Sequence, residues 1–312
     1  MINVAILYGG KSQEREVSLR SGKGIIEALK AKGCAVKGID FTSIDFISEL
    51  KDIDVVYVAL HGKYGEDGKI QGVLDILDIP YVGSGVLASA LAMDKAKAKK
   101  IFSLSGIRVA KDLLIKKTEN CELNLKQLID DVGFPLVVKP NQEGSTIGLS
   151  IVYNEEQLNN AINKALIDYD EILIEEFIDG TEVTVAILEN ENLIEALPII
   201  EIIPNKSNYY DYESKYAPGG SDHIIPARID IKLENLIKEW AIEAFKQLGC
   251  ESLARVDFII PKDGSDPVIL EVNTLPGMTE TSLFPDAAKS IGLSYEDIVY
   301  KLVEITLKKA KN

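Results

Sequence analysis

Two short apolar runs near the C-terminus, each carrying polar residues at alternate positions, restrict what this chain can build. Arg255 and Asp257 precede Phe258-Ile259-Ile260, while Glu271 and Asn273 follow Val268-Ile269-Leu270. Residues i and i+2 of a strand share a face, so a strand presents each polar pair together. The joining segment Pro261-Lys-Asp-Gly-Ser-Asp-Pro267 is rich in turn formers and predicts a hairpin. Asp257, Glu271 and Asn273 then fall on one patch of sheet. Carboxylates in such apolar surroundings need a cation or hydrogen bonds to offset desolvation. Two carboxylates and an amide oxygen form a hard donor set that suits Mg2+, with room for phosphate oxygens and water. A salt bridge from Arg255 to one carboxylate, the others being solvated, accounts for the same residues equally well.

The chain has 312 residues, more than one core usually serves, so two or three domains are expected. Lys+Arg 34 against Asp+Glu 49 gives a net charge of −15, which argues against nucleic acid or an anionic membrane as the main partner. A phosphate substrate stays compatible, because local basic residues and a bound metal override the global field. Cys34, Cys121 and Cys250 are scattered and odd in number, so neither a disulfide framework nor a zinc site is indicated. His61 and His223 are too few for a multi-histidine metal centre. The start, Ile2-Asn-Val-Ala-Ile-Leu7, reads as a first β-strand rather than a signal peptide. No apolar run approaches the ~18 residues of a membrane span. A cytoplasmic protein is expected.

Strand and helix alternate in the first third. Ile2–Tyr8, Asp54–Leu60 and Ile79–Val82 are predicted strands, and Ile25, Ala28 and Leu29 mark a helix with Gly33 as its C-cap. This pattern belongs to a parallel sheet, where ligands gather beyond the C-terminal strand ends. Glu14 and His61 both lie just past such ends, although Glu14 also suits a helix N-terminus. A helix is predicted from about Leu87 to Ser105, with Lys97, Lys99 and Lys100 on a mostly solvated face. The second third reads α+β, with strands at Leu136–Pro140, Ile172–Glu175 and Thr181–Leu188. The stretch 205–227 is polar but holds Tyr209, Tyr210, Tyr212 and Tyr216, which argues for a functional connection over a disordered one. Strands at 252–260 and 267–273 follow, then an amphipathic helix ending in lysines.

Lys139 closes an apolar strand and leads into Asn-Gln-Glu-Gly144-Ser145-Thr146-Ile-Gly148. Small and hydroxylated residues between glycines let backbone N–H groups approach an anion, but the lysine precedes the glycines and the pattern is not a Walker loop. A plain surface hairpin loop fits the same residues. Glu175 ends Ile172-Leu-Ile and leads into Glu176-Phe177-Ile178, with Glu182 beyond Gly180. One of these carboxylates could accept from a ribose hydroxyl while the 176–178 backbone reads an adenine edge. Surface glutamates beside a turn are the alternative.

Taken in order, a lysine-ended strand, a Gly/Ser loop, Ile-Glu175-Glu176-Phe177-Ile178 and a late Asp257…Glu271-x-Asn273 set resemble the ATP-grasp family. Five further segments sharpen the resemblance to the D-alanine–D-alanine ligases within it. They are Gly9-Gly-Lys-Ser-Gln-Glu14-Arg-Glu-Val-Ser18, Leu60-His61-Gly-Lys-Tyr-Gly-Glu-Asp-Gly68, Gly83-Ser-Gly85 with Met93-Asp-Lys95, Tyr210-Asp-Tyr-Glu-Ser-Lys215-Tyr216, and Asn273-Thr-Leu-Pro-Gly277-Met-Thr.

The resemblance covers essentially the whole chain and implies an α/β and α+β fold. A Rossmann-like parallel-sheet domain over 1–93 would precede two α+β subdomains, 94–182 and 183–312, that clasp ATP, with 205–227 as a lid. It implies a ligase that forms D-alanyl phosphate from ATP and one D-alanine, then D-alanyl-D-alanine, ADP and phosphate, for peptidoglycan synthesis. Lys95 and Lys139 would bind phosphates and Lys215 would close on the γ-phosphoryl. Glu175 would take the ribose, residues Glu176, Phe177 and Ile178 the adenine, and Glu182 would lie near the nucleotide. Asp257, Glu271 and Asn273 would hold two Mg2+ ions, or Mn2+ in their place. Arg255 would stand apart from those carboxylates as an oxyanion donor, together with the Gly277 N–H. Glu14 would bind the first substrate's ammonium group and bond to Ser145, which reaches Tyr216. His61 would lie beside the first substrate, Ser282 and Leu283 beside the second. The resemblance also implies a homodimer. His223 and the three cysteines receive no role. Ligases that join D-alanine to D-lactate or D-serine, and a non-catalytic nucleotide or amino-acid binder on the same scaffold, are the competing readings; Tyr216 speaks against the lactate version.

Overall fold

The computed structural model describes residues 1–118, 122–190, 193–205 and 219–311. Lys215, Tyr216, Cys121 and tyrosines 209, 210 and 212 lie outside the described residues.

The opening apolar runs form a parallel sheet in the order β2-β1-β3-β4, with β1 Asn3–Tyr8, β2 Ala35–Asp40, β3 Val55–Val58 and β4 Tyr81–Val82. Strand β2 was not anticipated from the sequence. It is an edge strand, largely open to solvent, whose Lys37 and Gly38 dilute the apolar signal. Helix α1, Arg15–Ala31, follows β1 and buries Val17, Ile25, Ala28 and Leu29, and α2, Lys69–Ile76, lies between β3 and β4. The backbone turns left-handed at Gly33 just beyond the end of α1, as the sequence implied.

The single helix expected over 87–105 is two. Helix α3, Val86–Met93, ends at Asp94, whose extended backbone turns the chain and whose side chain caps α4, Lys95–Leu104. A residue that accepts from the N–H three positions on stabilises a new helix start. Its lysine face is not uniformly solvated either, since Lys99 is only 3% exposed.

Strands β5 Asp112–Lys116, β6 Leu136–Pro140, β7 Ser150–Val152 and β8 Glu171–Glu176 form an antiparallel sheet in the order β5-β8-β6-β7. Helices α5 Glu122–Val132 and α6 Glu155–Asp168 close a separate core over it, around Leu136, Val138, Ile172 and Ile174.

A third, antiparallel sheet runs β12-β11-β9-β13-β14, with β10 on the side of β9. Its strands are β9 Gly180–Asn190, β10 Leu193–Ala196, β11 Ile200–Pro204, β12 Ser221–Ile224, β13 Leu253–Pro261 and β14 Val268–Asn273. Both faces are covered. Val183, Val185 and Ile187 point to a core with α7, Ile231–Leu248, while Ala186 and Leu188 point to the opposite one. That opposite core also holds Val4, Ile6 and Val55 of the parallel sheet and residues of α8, Leu283–Ser290, and α9, Tyr295–Lys309. The C-terminal helices therefore weld the first and last thirds of the chain together.

Candidate active site

The hairpin expected from the sequence is β13–β14, and its register faces Asp257 with Glu271 and Arg255 with Asn273. Like charges directly opposite one another are unfavourable, so cations and donors gather around them. Arg255 donates through Nε and Nη2 to the two oxygens of Asp257, at 2.9 and 2.8 Å. Thr184 Oγ1 and Asn273 Nδ2 donate to the same carboxylate at 2.6 and 3.0 Å. Lys95 Nζ stands 3.2 Å from Glu271. The expectation that Arg255 stands apart from the carboxylates is thus corrected. A planar guanidinium two residues away on the same strand face fits a carboxylate bidentately, and the two groups, both mostly buried, neutralise each other.

Several cavities border the hairpin among the described residues, two of them larger than the rest. The larger, about 970 Å3, lies between the sheet of β5–β8 and the hairpin face of the β9 sheet. Lys95, Lys139, Glu175, Glu176, Phe177, Ile178, Glu182, Asp257 and Glu271 all line it. Lys95 Nζ also donates to the Glu143 carbonyl at 2.6 Å, which ties the start of α4 to the Gly/Ser loop. Glu175 is enclosed by cations: Lys139 and Lys99 each stand 2.5 Å from a different oxygen. Burial alone would raise its pKa, but the two ammonium groups, Lys139 foremost, hold it down at about 2.

The smaller cavity, about 610 Å3, is lined by Glu14, His61, Ser145, Arg255, Asn273, Gly277, Ser282 and Leu283. Gly144 and Glu271 border both cavities, so the two adjoin. Ser145 and Thr146 sit at φ +52° and +62°, a left-handed backbone that non-glycine residues hold only where the surroundings impose it. Part of that hold is visible, since Ser145 Oγ donates to Glu14 Oε1 across 131 residues of sequence. The Glu14 carboxylate is closely walled. A Cβ at Gly144 would lie 3.2 Å from its Oε2, and one at Gly62 only 2.6 Å away.

His61 receives support from residues the sequence reading left unassigned. Its Nε2 is 3.1 Å from Ser21 Oγ and its Nδ1 3.6 Å from Glu66. Burial disfavours the charged ring, but Glu66, aided by Glu14, outweighs it and raises the pKa above 6.5. Burial likewise raises Glu66, against the pull of His61. Glu66 lies within the Leu60–Gly68 segment, but no spacing rule says that this loop folds back on its own histidine. Asn141 is a second omission. Its side chain accepts from the Ala96 N–H at 2.9 Å and donates to Asp94 at 3.0 Å, anchoring the α4 start to the end of β6.

The larger cavity presents lysines and an apolar slot beside an acidic hairpin, a setting for a nucleotide with its phosphates toward that hairpin. The smaller one presents carboxylates, a guanidinium and backbone groups, a setting for small zwitterions. A family profile described as the D-ala D-ala ligase C-terminus matches residues 101–304, and one for the D-ala D-ala ligase N-terminus matches 37–84. A D-alanine–D-alanine ligase of Halalkalibacterium halodurans is 56% identical over 310 residues, spanning 99% of this chain and 100% of that protein. The crystal structure of D-alanine–D-alanine ligase from Bacillus anthracis complexed with ATP matches with TM-score 0.87 at 34% identity, covering 100% of this chain and 99% of that one. The crystal structure of VanG D-Ala:D-Ser ligase from Enterococcus faecalis matches with TM-score 0.83 at 32% identity, covering 98% and 99%. The α/β and α+β arrangement is thus the ATP-grasp fold expected from the sequence. Matched in both its N- and C-terminal parts and more than half identical to a full-length relative, the chain belongs to the D-alanine–D-alanine ligase family.

Proposed function

We propose that the chain joins two D-alanines at the expense of ATP, giving D-alanyl-D-alanine, ADP and phosphate for peptidoglycan synthesis. The observation that carries this reading is the shared border of the two cavities at Gly144 and Glu271. A γ-phosphoryl group at that border meets a carboxylate held in the smaller cavity. Attack by that carboxylate on phosphorus releases ADP and leaves an acyl phosphate. The amine of the second D-alanine then attacks the acyl carbon, and phosphate departs.

In this reading Lys95 and Lys139 bind the phosphates, while the 176–178 backbone meets the adenine. Both oxygens of Glu175 already accept from lysines, so its share is to hold Lys139. The ribose then falls to Glu182, which lines the same cavity. Asp257, Glu271 and the amide oxygen of Asn273 are hard oxygen donors gathered on one hairpin face and would hold Mg2+, with Asp257 exchanging one of the donors it now accepts from for the ion. Among the described residues no group of three His, Cys, Asp or Glu side chains could hold a metal, and the site proposed rests on two carboxylates and one amide oxygen. Bound there, Mg2+ supplies charge neutralisation at the phosphates. Glu14 takes the first ammonium group, His61 lies beside it, and Ser282 with Leu283 receives the second substrate's carboxylate. Arg255 and the Gly277 N–H face the developing oxyanion from the wall of the smaller cavity.

The three sheets support three units, 1–93, 94–182 and 183–312, which we propose as the domains. Among the described residues no helix is long and apolar enough to cross a membrane. A cytoplasmic homodimer fits that and the family. The similarity to a D-Ala:D-Ser ligase keeps D-serine as a second acceptor reading. Phosphate release is to be measured with ATP and pairs drawn from D-alanine, D-serine, D-lactate and L-alanine, with and without Mg2+. Release with D-alanine alone, dependent on Mg2+, is the expected result. Release only with D-serine or D-lactate as acceptor overturns the substrate assignment, and none with any pair overturns the enzyme reading.

A further inference from the structure

Lys99 is a buried ammonium group that lines neither cavity and has no part in the reaction described above. It projects from α4, one turn beyond Lys95, into the gap between that helix and the β5–β8 sheet. Its Nζ lies 2.5 Å from Glu175 Oε1 and 3.5 Å from Asp112 Oδ1. Asp112 and Glu175 face each other directly across β5 and β8. Two carboxylates in that relation repel unless a cation intervenes, and Lys99 is the group between them. On the far oxygen of Glu175 stands Lys139, 2.5 Å away and on the wall of the larger cavity. The four side chains therefore form a line of alternating sign, Asp112, Lys99, Glu175 and Lys139, with its positive end turned to the cavity.

A buried ion chain is a poor device for stability alone, since well-packed apolar side chains serve as well or better. Its charge count is what distinguishes it. With Lys99 present, Glu175 divides its charge between two ammonium groups. Without Lys99, Glu175 and Asp112 both act on Lys139, which is then pinned to a carboxylate and carries little net field to a phosphate. We propose that Lys99 is a positioning residue for the nucleotide: it holds one oxygen of Glu175 so that the charge of Lys139 is available to phosphates Lys99 never touches. This rests on the reading of the larger cavity as the ATP site with Lys139 toward the phosphates.

The test is ADP affinity by titration calorimetry, with Mg2+ present, for wild type, Lys99→Met, Lys139→Met and the double variant Lys99→Met/Glu175→Gln. Melting temperatures without nucleotide are to be read alongside. Lys99→Met is expected to weaken ADP about tenfold, a loss comparable to that of Lys139→Met. The double variant removes the carboxylate that Lys99 restrains, so it is expected to bind ADP more tightly than Lys99→Met, short of wild type by what Glu175 itself adds in holding Lys139. A merely structural lysine gives a different pattern, in which Lys99→Met melts lower but binds ADP with wild-type affinity. Wild-type affinity in Lys99→Met, or a further loss in the double variant, overturns the proposal. If Lys99→Met does not fold, the double variant, which strands no charge on Glu175, decides alone: recovery supports the proposal and a tenfold loss overturns it. If Lys139→Met binds ADP like wild type, the reading of the cavity fails instead.

Discussion

Glu175 is the residue at which burial and charge oppose each other most directly. Its pKa is held at about 2, against an ordinary 4.5, so its contribution to stability is fully present above pH 4.5. That contribution is lost as pH falls from 4.5 toward about 2. At neutral pH, Glu175→Gln removes the carboxylate between buried Lys99 and part-buried Lys139 and is expected to be clearly less stable than wild type. The gap in denaturant midpoint between the two proteins should close as pH is lowered through that window. A gap that stays constant with pH would show that Glu175 is not ionised against the lysines. None of this was legible in the sequence. Helical spacing placed Lys97, Lys99 and Lys100 on a lysine-rich stretch but could not say that α4 turns Lys99 toward a carboxylate 76 residues away. The hairpin residues were far more legible, because strand periodicity is local and fixes which side chains share a face. Even there, the pairing of Arg255 with Asp257 was one of two readings until the geometry showed it.

Elements with a continuous apolar run were read correctly, and those set by one polar residue were not. Strands β1, β3, β6, β8, β9, β13 and β14 fall where the sequence placed them, since buried strands announce themselves by composition. The break between α3 and α4 depends on Asp94, an ordinary residue in a helical pattern until its partners are known. Its carboxylate accepts from the Lys97 N–H at 3.1 Å and from Asn141 and Gln142 at 3.0 and 3.1 Å. Asp94→Ala should therefore cost more than an isolated cap, about 2 kcal/mol of stability. Because Lys95 is the first residue of α4, the KM for ATP should rise as well. A melt lowered with no change in that KM would confine Asp94 to a structural role.

At the scale of the whole molecule, the cores are unequal partners. One joins the parallel sheet, the β9 sheet and helices α8 and α9, whereas the core of β5–β8, α5 and α6 is self-contained. Cooperative units of this kind open separately, so residues 112–176 should exchange their amide hydrogens through a lower-energy opening than the strands of the joined core. A ligand seated between the two units favours the closed arrangement by mass action. Hydrogen exchange with and without ATP analogue should show protection rising across 136–152, and equal protection throughout would contradict the two-unit description. Which elements share a core was not legible in the sequence, because it depends on residues far apart in the chain, such as Ile6 and Phe284, being buried in one cluster. The glycines that wall Glu14 carry a related consequence for how such a protein varies. One comes from the loop after β3 and the other from the loop after β6, yet both leave out the same atom beside one carboxylate. An acid can drift to an amide and keep its shape. A missing methyl group has no such neighbour in sequence space, and Gly62, at φ +68° with Glu14 Oε2 2.6 Å from where a Cβ would lie, is held to glycine by its backbone as well as by space.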